Sequence, residues 1–224
     1  MEKNIVCGDA SGVSAESLLA SLHMDQKVKK GELYDRITDM HREAAKIAKP
    51  IAIYAPFSPD MSEGGFLLNG VEIKEPFVRK MLSDCEIVVP YVASCGREID
   101  EWSLSYTDSI FEQFAADTLK EMFLRAVREK LFSEVQKRFF NAEKVISTLN
   151  PGSLDRWPIT GQKPLFDILG GVTDDIGVVL KESFLMVPTK SVSGIIFQTD
   201  EEYHNCQLCP RVNCSGRSAP YEGD

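Results

Sequence analysis

The sequence predicts an α+β fold built on antiparallel strand pairing, and three observations carry this. A three- and four-residue hydrophobic period runs from roughly Asp108 to Phe140, predicting one helix about 50 Å long. Asn69-Gly70 lies between the apolar arms of FLLNGVEI (66–73), the sequence of a tight type I′ hairpin. Helices and strands are otherwise interspersed without the regular βαβ cadence of a doubly wound sheet.

Taken in order, Ser14 is placed to cap a short helix reaching Met24. GELYDRITDMHREAAKIAK (31–49) repeats Leu33, Ile37, Met40, Ala44 and Ile47 at helical spacing, and PIAIYAPF (50–57) reads as a buried strand. EPFVRKMLSDC is a short helix with Pro76 near its first turn; EIVVPYVASCG (86–96) is a β-rich run interrupted by Pro90. The core stripe expected of the long helix is Ile110, Phe114, Leu119, Met122, Phe123, Ala126, Val127, Leu131, Val135 and Phe139. A turn-rich LNPGSLDRWPITG follows, then a short helix, KPLFDILGG, and strands in IGVVL with SFLMVP and in SVSGIIFQT. No repeat or low-complexity linker interrupts the chain. The expected organisation is an N-terminal extension (1–30), one α+β domain (31–199) and a cysteine-rich tail (200–224).

The chain has 224 residues, enough to bury a core without staples. Its formal charge of −9 disfavours nucleic acid, whose phosphates need a basic face. The basic cluster Lys27, Lys29 and Lys30 is short and reads as a helix-flanking loop. No apolar run approaches the roughly 18–20 residues that span a bilayer, and MEKNIVCGDASG lacks the layout of a signal peptide. The expected setting is cytoplasmic, with no membrane or nucleic-acid partner. There thiols stay reduced, and clustered cysteines more often bind metal than form disulfides.

Familiar catalytic signatures are missing: no Walker loop, G-x-G-x-x-G, G-x-S-x-G or H-E-x-x-H occurs. His23 and His41 fall in expected helices and read as structural or solvated. The tail differs. Cys206, Cys209 and Cys214 form C-x2-C-x4-C, and His204 is a candidate fourth ligand. That set suits a Cys3His zinc site, or three cysteines of a [4Fe–4S] cluster, and spacing alone does not separate the two. The plain alternative is a reduced tail whose cysteines have no partner. In PTKSVSGIIF (188–197), Lys190, Ser191, Ser193 and Gly194 open a strand, where glycine signals a bulge or a close approach. LNPGS (149–153) makes a tight turn with exposed backbone amides, which either serve a ligand or merely connect two elements.

Together these stretches resemble the reactivation domain of cobalamin-dependent methionine synthase, in a short stand-alone form. IGVVLKESFLMVPTKSVSGIIF (176–197) is similar to the family's strand–turn–strand signature, in which LTES precedes a Met-containing strand and SVSG. LNPGSLDRWPITGQKPLFDILG (149–170) resembles its ligand loop, and ASCGREID its TLG…I turn. The resemblance runs weakly from about residue 32 and firmly from about 90 to 197.

It implies a helmet-like α+β domain with a central, mostly antiparallel sheet. It also implies S-adenosylmethionine bound in a shallow cleft and docking over the corrinoid of a partner, a methionine synthase or another corrinoid methyltransferase. The implied chemistry is repair. One electron reduces inert cobalt(II) to cobalt(I), which takes the sulfonium methyl group to give methylcobalt(III) and a neutral thioether. The electron would come from a low-potential donor of flavodoxin or ferredoxin type; the cysteine tail is not part of the resemblance, and as a [4Fe–4S] cluster rather than a zinc site it would be a relay. Glu121, in ADTLKEMF (116–123), matches the family's acidic residue for the ligand's amino group; an ordinary pair with Arg125 is the alternative. Asn150, Pro151, Gly152 and Ser153 match the ligand loop. Two departures stand out: the family's loop arginine falls at Thr148 and its loop tyrosine at Ser153. Arg156 is a candidate to supply the charge, and the family tyrosine after the last strand falls near Tyr203 or His204. Two other classes compete: a corrinoid-protein binding module with a structural zinc tail, and an unrelated metal-dependent redox or regulatory protein.

Overall fold

A computed structural model of the chain describes residues 2–24, 31–61, 65–200, 207 and 219–221. Nine strands and seven α-helices lie in these residues. The centre is a five-stranded sheet, in order β1 (Asn4–Cys7), β2 (Ile51–Tyr54), β5 (Val88–Ser94), β9 (Ser191–Thr199), β6 (Val145–Leu149). Every neighbouring pair is antiparallel, as the α+β reading expects.

Helices cover both faces. On one, α1 (Ala15–Ser21), α2 (Glu32–Ile47) and α5 (Ile110–Phe139) share the largest core, which includes Met40, Tyr91, Phe123 and Val127. On the other, the β3–β4 hairpin (Phe66–Leu68, Val71–Ile73), α3 (Pro76–Leu82) and α6 (Gln162–Leu169) enclose Trp157, Ile195 and Phe197. α7 (Val172–Ile176) packs near β2 and β5 on that side. α4 (Arg97–Ser103) follows β5, and β7 (Val179–Leu180) pairs with β8 (Met186–Val187).

Local chemistry explains the elements. Ser14 accepts from the Ser17 amide, and the reciprocal Ser17 bond completes a capping box for α1. Asn69 and Gly70 take φ of 51° and 76°, the two left-handed positions of a type I′ turn. Ser109 caps α5, and Lys137 and Arg138 in its last turn complement the helix dipole.

Several expectations are corrected. Pro90 does not interrupt β5, all seven residues of which are buried. Its missing N–H falls opposite Ala55, just past the end of β2. There Ala55 N still donates to the Pro90 carbonyl at 3.2 Å, and pairing resumes at Phe57–Val88. Ile110 and Phe114 are 88% and 56% exposed, while Ala115 and Ala116 take the core positions. β9 has no bulge: its register with β5 is continuous from Ser191–Ser94 to Phe197–Val88. His23 lies beyond α1 with φ of 55°, and His41 on α2 bonds the Val13 carbonyl at 2.7 Å. The residues expected as an N-terminal extension supply edge strand β1 and helix α1, while β6 forms the other sheet edge.

Candidate ligand-binding site

α5 packs against β1, β2 and β5, so that β9 and β6, the next two strands of the sheet, lie beside it. Alternation along the strands puts Val192 and Gly194 of β9, and Ile146 and Thr148 of β6, on this face, with Val192 and Thr148 partly exposed. Asp117, Glu121, Arg128 and Phe132 recur along the facing flank of the helix. Two contacts place that flank. Lys190, entering β9, meets Asp117 and Glu121; Phe132 meets the Tyr91 ring edge-on at 5.8 Å.

The two ends of this groove differ. At one, Asn150 closes β6 over β9. Its Nδ2 donates to Tyr91 Oη at 2.9 Å and to the Ser193 carbonyl at 2.8 Å. This explains Gly194. A Cβ there would lie 2.5 Å from the Leu149 carbonyl oxygen, 3.0 Å from Tyr91 Cε1 and closer still to Asn150 Nδ2. The glycine marks a close approach by the chain's own loop rather than a bulge. The turn that follows does not present free amides. Gly152 N donates to the Trp157 carbonyl at 2.7 Å and Ser153 N to the Asn150 carbonyl at 3.2 Å. Pro151 has no N–H, so the loop is a rigid wall whose own donors are used internally.

The other end is ionic. Lys190 Nζ sits 2.9 Å from Asp117 Oδ2 and 3.9 Å from Glu121 Oε2. Lys120, with a side chain only 9% exposed, lies 3.1 Å from Asp100 Oδ1 and 3.6 Å from Asp117 Oδ1. Thr189 also donates to Asp100, at 3.1 Å. Glu121 therefore has Lys190 as ion partner, across the groove.

The other expected site residues are distributed unevenly. Ser191 and Ser193 point to the opposite face, in step with Ile195 and Phe197. Ser191 Oγ bonds Ser94 Oγ and the Pro188 carbonyl, and Ser193 Oγ is buried without a partner. Ser193 reaches the groove side only through its carbonyl. Arg156 lies over the Phe77 ring at 5.9 Å, beside the α3 layer on the far face. Tyr203, His204, Cys206, Cys209 and Cys214 lie outside the described residues, as do Lys27, Lys29 and Lys30. Among the described residues no group of three His, Cys, Asp or Glu side chains is placed to hold a metal, and no helix is long and apolar enough to cross a membrane.

Residues 151–215 match the family model described as "Vitamin B12 dependent methionine synthase, activation domain", less than a third of the chain. The chain resembles that activation domain. The match starts inside the loop that closes the groove and runs through β9. A solved structure, the MetH reactivation domain bound to AdoHcy, superposes with a TM-score of 0.63 at 15% identity. The superposition covers 91% of this chain and 80% of the MetH reactivation domain, and at that identity it establishes the fold. None of the curated proteins matches the chain by sequence. Three groove residues that the sequence alone does not single out are Tyr91, Asp117 and Arg128. A signal for two of them is periodic: positions 117, 121 and 128 share one helix flank.

Proposed function

We propose that this chain binds S-adenosylmethionine in the groove between α5 and the β9–β6 edge, and presents it to a partner's corrinoid for reductive reactivation. The observation that carries this is the placement of Glu121 and the Asn150–Ser153 loop on one groove, in a fold shared with a domain solved with AdoHcy. The corrinoid supplies the nucleophile and the sulfonium supplies an already activated methyl group. The chain contributes binding and orientation.

The acidic end suits a cationic head group. Asp117 and Glu121 offer carboxylates to the acidic end; Lys190 stays on Asp117 at 2.9 Å, and its longer 3.9 Å contact with Glu121 is the one the ligand's ammonium replaces. At the other end the loop holds its shape through Asn150 and forms a fixed wall. Ser153 and Gly152 are exposed there and meet the ligand through carbonyl and side-chain atoms. The partner in this reading is a methionine synthase or another corrinoid methyltransferase, in the cytoplasm. Cys206, Cys209 and Cys214, with His204, hold zinc or a [4Fe–4S] cluster; the cluster form relays an electron from a donor of flavodoxin or ferredoxin type.

Two measurements on the full chain, purified without oxygen, test this. Calorimetry with AdoHcy is expected to show one site, weakened at least about tenfold by Glu121→Gln, the loss of a charge-assisted hydrogen bond. No heat with the wild-type chain sinks the groove reading. Iron, sulfide and zinc analysis tests the tail; a chain holding none of them, before and after reconstitution, removes the metal and the relay.

A further inference from the structure

Arg128 lies two turns beyond Glu121 on the same flank of α5 and is not explained by the contacts around it. Its Nε is buried and has no hydrogen-bond partner. Its guanidinium carbon sits 5.4 Å over the Phe132 ring, Phe132 meets Tyr91, and Tyr91 Oη lies 3.5 Å from Thr148 Oγ1 and 2.9 Å from Asn150 Nδ2. The arginine is therefore held by ring stacking beside the floor and loop of the groove. A buried guanidinium N–H without an acceptor is a feature that calls for one.

We infer that Arg128 takes the carboxylate of the ligand's amino-acid head group. This rests on the groove being the S-adenosylmethionine site. A planar guanidinium binds a carboxylate through two parallel N–H donors; the two terminal nitrogens of Arg128, unlike its enclosed Nε, are not among the buried unpaired atoms and form the pair that meets the carboxylate. The spacing fits. Seven residues of helix separate Glu121 and Arg128 by about 10.5 Å along the axis. A head group held by hydrogen bonds of about 2.8 Å at each end needs roughly 8 Å between carboxylate and guanidinium, which side chains leaning toward each other provide. The competing cations are placed otherwise. Position 148 is a threonine, Arg156 is over Phe77 on the far face, and Lys190 is committed to the acidic end.

The test is calorimetry of the full chain with two ligands, AdoHcy and its decarboxylated analogue, for wild type, Arg128→Gln and Arg156→Gln. Arg128→Gln is expected to weaken AdoHcy by about 10- to 100-fold and to leave the decarboxylated analogue within about threefold of wild type. Arg156→Gln is expected to change neither. Arg128→Lys, which keeps the stem and charge but not the fork, guards against a folding defect and should lose AdoHcy affinity selectively. Equal losses for both ligands, or none for AdoHcy, overturn the assignment. A wild-type chain that binds the decarboxylated analogue but not AdoHcy also overturns it. Failure of the wild type to bind either ligand overturns the groove reading itself, and Arg128's role with it.

Discussion

Gly194→Ala offers a direct test of how β6 and its loop sit on the sheet. The added methyl group would lie 2.5 Å from the Leu149 carbonyl oxygen and 3.0 Å from Tyr91 Cε1, besides striking Asn150 Nδ2. Rotating the Asn150 side chain relieves only one of these contacts, because the Leu149 oxygen belongs to the backbone of β6. The strand has to move away from β9. Overpacking of this kind costs about 1–3 kcal/mol, and the two hydrogen bonds from Asn150 to Tyr91 and Ser193 add about 1 kcal/mol each. The expected loss is about 4 kcal/mol, or roughly 8–16 °C in Tm for a chain of this size. Urea denaturation and a thermal melt measure it. Gly12→Ala is the control: its Cβ meets only Ala126 Cβ at 3.8 Å, ordinary contact, and stability should hold within about 0.5 kcal/mol. Asn150→Ala combined with Gly194→Ala should cost less than the sum of the single changes, since both remove the same hydrogen bonds. A Gly194→Ala protein melting within 1–2 °C of wild type would refute the close approach of the loop to β9.

Two further outcomes are expected. Asp100→Ala leaves the nearly buried Lys120 ammonium with the longer Asp117 contact and the neutral Thr189 hydroxyl at 3.4 Å, and should destabilise the chain by about 2–4 kcal/mol; Lys120→Met, which removes the buried charge, should cost less in the same urea titration. Burial pushes the Cys95 thiol up to about 12, so it stays protonated and enclosed at pH 8, whereas Cys7 is exposed. Alkylation of native protein followed by peptide mapping should label Cys7 and spare Cys95, and early labelling of Cys95 would contradict its enclosure.

The long helix and the β3–β4 hairpin were legible because each carries a strong local signal: thirty residues at helical period, and an Asn-Gly pair between apolar arms. β1 and β6 were not. They are the two edges of the sheet, four and five residues long, with buried and exposed positions mixed, so little hydrophobic pattern marks them. The cap at Ser14 was readable from sequence, and so was the position of Glu121 on the helix. Its partnership with Lys190 was not, because it depends on how α5 lies across the sheet. Gly194 shows the same limit in another form. Sequence offered a bulge or a close approach, and only the register of β6 with β9 brings Asn150 onto it. Ile110 and Phe114 had the right period and the wrong outcome: in the first turns of α5 the two alanines that follow face the core instead.

Asn150 has one more consequence. Through one amide nitrogen it binds the side chain of a central strand and the backbone of the next, and the turn after it closes on itself through Gly152 and Ser153. The loop is preorganised, so a ligand arriving in the groove does not have to order it, and little conformational entropy is lost on that side. Affinity differences between related ligands should then report their direct contacts, with a heat-capacity change set by the ligand's own buried surface rather than by loop folding.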